Sequence, residues 1–215
     1  MSERVTIVDY GLGNIFSVAR AVEHFGVDVL LSDDPCVLGE ASRLILPGVG
    51  AFAIGMQGLR ERALIEPLRK FAASGRPLLG ICLGMQMLLS GSEEFGDHEG
   101  LGIIPGLVAP VSGQTATGAI LKVPHVGWSP LHNPLFGNSW DGSILAGLPE
   151  ACEAYFVHSY TAVPADDAHR LADTWYGNCR ISAAVRKNNV YGCQFHPEKS
   201  GPAGLKIIEN FLSVV

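Results

Sequence analysis

The feature that most constrains this fold is a set of short runs with no polar face: Val5-Thr6-Ile7-Val8, Arg43-Leu44-Ile45-Leu46 and Leu78-Leu79-Gly80-Ile81. A strand with one solvated face alternates apolar and polar residues, whereas one buried on both faces reads as nearly continuous apolar sequence. Helical spacing fills the gaps. Ile15, Val18, Ala19, Val22 and Phe25 recur at helical intervals before Gly26, which stops the helix, and a second helical region runs between Phe52 and Ala73. With Val27-Asp28-Val29-Leu30-Leu31 as a further strand, this half predicts an α/β fold with a parallel sheet covered on both faces.

The second half changes character. Strands are expected at Ala119 to Val123, Ala154 to Val157, Leu171 to Tyr176, Ile181 to Val185 and Val190 to Phe195, and a last helix from Ala203 to Leu212. Lys187-Asn188-Asn189 reads as a hairpin turn, because asparagine tolerates the left-handed region. Residues 88–118 and 129–153, rich in Gly, Ser, Pro and Asn, carry little periodic signal. A mixed, mainly parallel sheet with added antiparallel strands is expected, in one domain over residues 1–215.

Composition excludes several functions. Hydrophobic residues make up 47% and charged ones 17%, enough for a large core, and the net charge of −6 argues against nucleic acid as a partner. The polar start, Met1-Ser2-Glu3-Arg4, does not read as a signal peptide, and no apolar window is long enough for a membrane span. A cytoplasmic protein is expected. Five cysteines without a CxxC pair make a poor disulfide framework, and the seven histidines form no zinc-ligand spacing. Cys36, Cys152, Cys179 and Cys193 read as ordinary core or surface thiols.

Cys82 differs. Gly80-Ile81-Cys82-Leu83-Gly84 is the thiol form of a nucleophile elbow, a sharp strand-to-helix bend that glycines make sterically possible. It places a cysteine at a helix N-terminus, an environment that favours thiolate, the reactive form. Far downstream, Gln194-Phe195-His196-Pro197-Glu198 supplies a base and an orienting carboxylate at positions i and i+2, which share a face in extended chain. Pro47-Gly48-Val49-Gly50, at the end of a strand, supplies backbone N–H groups suited to an oxyanion hole. By contrast, Gly11-Leu12-Gly13 lacks the third glycine of a dinucleotide fingerprint, since that position is Phe16.

These three motifs together resemble the class I glutamine amidotransferases. Asp9-Tyr10-Gly11-x-Gly13-Asn14, Lys122-Val123-Pro124-His125-Val126-Gly127-Trp128, Tyr155-Phe156-Val157-His158-Ser159-Tyr160 and His196-Pro197-Glu198-Lys199-Ser200 look specifically like the glutaminase subunit family of imidazole glycerol phosphate synthase. The resemblance implies a flavodoxin-like fold and a glutaminase with a triad of Cys82, His196 and Glu198. It implies an oxyanion hole near Val49, Gly50 and Leu83, and glutamine contacts from Gly50, Gln86, Ser159 and Tyr160. It implies no metal or organic cofactor. It also implies a heterodimer with a (β/α)8 barrel cyclase that consumes the ammonia for histidine biosynthesis, contacted near Asn14, Trp128 and Lys199. At rest the Gly48–Val49 peptide is expected to present its carbonyl to the site. A subunit of a related synthase and a stand-alone γ-glutamyl cysteine hydrolase are the alternatives.

Overall fold

A computed structural model describes residues 4–214 except 114, 116, 117 and 135–138. The elements, in chain order, begin with strand β1 (Arg4–Val8), helix α1 (Ile15–Glu23), β2 (Asp28–Ser32), α2 (Pro35–Glu40) and β3 (Leu44–Leu46). Helices α3 (Phe52–Glu61) and α4 (Ile65–Ala73) follow, then β4 (Leu78–Ile81) and α5 (Leu83–Met87). Next come β5 (Gly91–Ser92), β6 (His98–Glu99), β7 (Gly106–Pro110), β8 (His125–Pro130), β9 (Glu153–His158) and β10 (Tyr160–Pro164). The chain closes with β11 (Arg170–Tyr176), β12 (Cys179–Lys187), β13 (Val190–Cys193) and α6 (Gly201–Ser213).

The central sheet has seven strands in the order β11-β12-β13-β4-β3-β1-β2. The five from β13 to β2 are parallel, and β12 and β11 extend the sheet antiparallel. Period-two alternation survives inside the apolar runs. Val5, Ile7, Ile45, Leu79 and Ile81 point to one buried cluster with Val22, Ile207 and Phe211, while Val8, Leu44, Leu46 and Leu78 point to the other with Met56, Leu59 and Phe71. Each strand is thus sandwiched between layers, and each fully buried Leu or Ile contributes roughly 1.5–3 kcal/mol. The expected hairpin turn lies between β12 and β13, with Asn188 at φ 55°.

One expectation needs correction. Ala119 to Val123 is not a strand; the ladder runs instead through β8, immediately after Pro124, because His125–Pro130 is the segment that finds a partner in β9. The Gly- and Pro-rich stretch from residue 88, which carries little periodic signal in the sequence, forms strands of its own. It supplies β5, β6 and β7, which join β10 in a separate four-stranded sheet. The helical region after Phe52 divides into two helices at Ala63, which has φ 55°.

Candidate active site

Parallel strands deliver their carboxyl ends to one edge of the sheet, and three neighbouring strands build the site there. Strand β4 leads directly into Cys82, with β3 on one side and β13 on the other. Cys82 has φ 53° and ψ −109°, outside the helix and strand regions. This strain, of order 1–3 kcal/mol, is held by Cys82 N–H donating to Cys193 O at 2.7 Å and by Gln86 N–H donating to Cys82 O at 3.1 Å. The flanking glycines are obligatory. A Cβ on Gly80 would lie 2.8 Å from the Gly84 carbonyl, and one on Gly84 would overlap the Leu46 carbonyl at the end of β3.

Past the end of β13 the chain carries His196 and, in a 3₁₀ turn, Glu198. His196 N–H donates to Tyr155 O at 2.9 Å, and its Nδ1 lies 2.8 Å from Glu198 Oε1. Both side chains are almost fully buried. Burial alone would lower the His196 pKa, but interactions with the Cys82 sulfur and the Glu198 carboxylate outweigh it and hold the imidazole at about 9. No hydrogen bond of ordinary geometry joins His196 Nε2 to Cys82; this nitrogen is buried and has no hydrogen-bond partner among the described residues. The thiol instead donates to Val157 O at 3.9 Å. Asn14, which precedes α1 without capping it, donates to Glu198 Oε1 at 3.5 Å.

A cavity of about 390 Å³ brings together Val49, Gly50, Cys82, Leu83, Gln86, Ser159, Tyr160 and His196. At its edge Leu83 N–H donates to Gly48 O at 3.3 Å, so the Gly48–Val49 peptide turns its carbonyl toward the elbow. Gln86, at the cavity floor, donates to Tyr160 O at 3.1 Å and to Gln194 Oε1 at 3.0 Å. Trp128 and Lys199 lie outside the cavity and are exposed; Trp128 stands half-exposed on the outer face of the β8–β9 pair, edge-on to Tyr155. A second cavity, of about 480 Å³, lies away from Cys82, and its Arg69 and Lys187 are tied to the Leu101 and Ile103 carbonyls.

Three features of the site escaped the sequence reading. Glu94 lines the cavity, with its carboxylate held by Phe52 N–H; nothing in its Gly- and Ser-rich surroundings marks it. His158 and His125 form a buried pair at 3.0 Å, continued by His125 to Ser129 Oγ at 2.9 Å. Burial keeps His158 at about 4 and lowers His125, so both are neutral. Alternation within the Pro-His-x-Gly-Trp and His-Ser-Tyr stretches was the only signal for them. Gln194, fully buried beside the catalytic motif, reaches Cys82.

Residues 6–215 match the family model described as glutamine amidotransferase class-I. The chain is 51% identical over 210 residues to imidazole glycerol phosphate synthase subunit HisH 1 of Legionella pneumophila (strain Lens), covering 98% of this chain and 99% of that one. It is 46% identical over 215 residues to subunit HisH of Geobacillus sp. (strain WCH70), covering 98% and 97%. The solved structure of PurLQS from Thermotoga maritima shares the fold, with a TM-score of 0.71 at 21% identity over 99% of both chains. The chain belongs to the class I glutamine amidotransferases, enzymes built on a Cys-His-Glu triad. Within that class it falls in the family of the HisH subunits. Among the described residues no helix is long and apolar enough to cross a membrane.

Proposed function

We propose that this chain, acting as one domain over residues 1–215, hydrolyses L-glutamine and passes the ammonia to a barrel-shaped cyclase subunit of imidazole glycerol phosphate synthase, in the cytoplasm. The observation that carries this reading is the strained Cys82 facing the same cavity as the His196–Glu198 pair. The Cys82 proton passes to His196 Nε2, and the thiolate attacks the side-chain amide carbon of glutamine. The imidazolium, favoured up to about pH 9, then protonates the departing nitrogen as the C–N bond breaks, giving ammonia and a glutamyl thioester. Water, losing its proton to His196, hydrolyses the thioester to glutamate and restores the thiol. Glu198 holds the imidazole ring. Gln86, Glu94 and the Ser159–Tyr160 backbone receive the amino-acid end of the substrate, the Glu94 carboxylate opposite its ammonium.

The oxyanion would be held by Leu83 N–H and a backbone N–H at Val49 or Gly50. In the resting geometry Gly48 O occupies Leu83 N–H. Activation therefore requires the Gly48–Val49 peptide to turn over, exchanging a carbonyl for an N–H. Losing one such donor costs roughly 10²–10³ in kcat, so the isolated chain is nearly silent. The cyclase, docking near Asn14, Trp128 and Lys199, would bias the turned state. The test measures glutamine turnover by the chain alone, then with the cyclase and its nucleotide ligand. A rise of about 10² or more on assembly supports the reading. Full activity from the isolated chain indicates a stand-alone hydrolase, and activation by a different synthase subunit only indicates a paralogue.

A further inference from the structure

The cavity floor holds a chain of buried polar groups whose hydrogen-bond directions are all set by one atom. Tyr160 O is a carbonyl and can only accept. His158 Nδ1, 2.8 Å away, must therefore carry a hydrogen. In the neutral ring Nε2 is then an acceptor, so His125 Nδ1 donates to it and His125 Nε2 accepts from Ser129. Gln86 Nε2 also points at Tyr160 O, which identifies it as the amide nitrogen, and its other hydrogen goes to Gln194. Gln194 must present its oxygen there. Its own nitrogen consequently faces the opposite way, at 3.7 Å from Cys82 Sγ.

Given Cys82 as the nucleophile, we propose that Gln194 is a further catalytic residue whose side-chain N–H donates to the Cys82 sulfur and stabilises it as thiolate. The sulfur has two partners of opposite sense. Val157 O accepts from the thiol and favours S–H, while the Gln194 N–H favours S⁻. Once the proton has moved to His196, Val157 O no longer suits the sulfur, and the Gln194 donor joins the imidazolium in stabilising it. The same donor receives the sulfur again when the thioester breaks. A neutral amide does this without titrating, and full burial keeps water from competing. The titratable groups around Cys82 are His196, with Glu198 behind it, the Tyr10 phenol, His158 and Glu94. The Tyr10 hydroxyl donates to Pro47 O at 2.8 Å and the His158 N–H to Tyr160 O at 2.8 Å, so neither supplies the donor's role.

The experiment uses the complex with the cyclase subunit and compares wild type with Gln194→Met, which matches its length without a donor, and Gln194→Glu, which offers only acceptors. Two quantities are read: kcat and KM for glutamine, and the pH midpoint of iodoacetamide labelling followed on the Cys82 peptide, since Cys36, Cys152 and Cys179 are also accessible. The methionine variant should lose about tenfold in kcat with little change in KM, and its labelling midpoint should rise by about one pH unit. The glutamate variant should lose more. An unchanged midpoint in a folded methionine variant overturns the proposal, even if kcat falls, because that pattern indicates packing alone. Should the variants not fold, wild-type NMR decides: the Gln194 side-chain amide signals must track Cys82 ionisation and cease to do so in Cys82→Ser. Signals that ignore it overturn the proposal. Wild type that turns over no glutamine in the complex overturns the nucleophile reading itself, a separate outcome.

Discussion

Gly84→Ala tests the elbow most directly, because the obstruction is backbone rather than a movable side chain. An ideal Cβ on Gly84 would overlap the Leu46 carbonyl oxygen and lie 2.8 Å from the Leu46 carbonyl carbon and 3.4 Å from that of Pro47. Ordinary contact demands that α5 and the end of β3 part by roughly 1.5 Å in an interior packed to crystal density. Strand β3 is clamped between β1 and β4, so the sheet resists. Overpacking costs about 1–3 kcal/mol, and a fixed carbonyl puts this case near about 3. For a chain of this length that lowers Tm by about 6–12 °C. Helix α5 starts at the residue after Cys82, so its displacement moves the thiol, and an error of about 1 Å costs about 10² in turnover. Gly39→Ala in α2 is the control. Its Cβ meets nothing within 4 Å, so helix propensity should leave the protein unchanged or stabilised by about 0.5–1 kcal/mol. Thermal unfolding and glutamine turnover in the complex read both. Gly84→Ala melting within about 2 °C of wild type with turnover within about twofold would refute the steric argument.

Three further outcomes are expected. Cys82→Ala should remove glutamine hydrolysis while the complex still uses added ammonia; retained hydrolysis would show that another group attacks. Stability should fall on mild acidification, because the unfolded His158 takes up a proton near pH 6.5 that the folded one refuses until about 4. His158 alone should cost about 2 kcal/mol at pH 5 in urea unfolding, partly offset by His196, whose raised pKa works the other way, and His158→Gln should remove that share of the dependence; an equal slope in the variant contradicts the neutral assignment. Asp173→Asn should destabilise by about 3–5 kcal/mol, since the fully buried carboxylate accepts hydrogen bonds from Arg170 Nε at 2.8 Å and Arg180 Nε at 2.8 Å. A urea midpoint close to wild type would show that this network carries little stability.

What the sequence by itself determined is what local pattern encodes. Doubly apolar runs defined the parallel strands, and closely spaced glycines defined the turns, because burial on two faces and a crowded bend restrict residue type at the position itself. The elbow at Cys82 and the His196–Glu198 pair were legible for that reason. Tertiary structure decided everything that depends on a distant partner. Gly106–Pro110 is a strand because β10 offers a ladder, Gly91–Ser92 because Gly106–Pro110 offers one in turn, and His125–Pro130 displaced Ala119 to Val123 because β9 lies opposite it. Gln194, Glu94 and His158 are ordinary polar residues in the sequence. They acquire roles through a cavity assembled from segments far apart in the chain, where one carbonyl, Tyr160 O, receives two donors and so orients the groups beyond them.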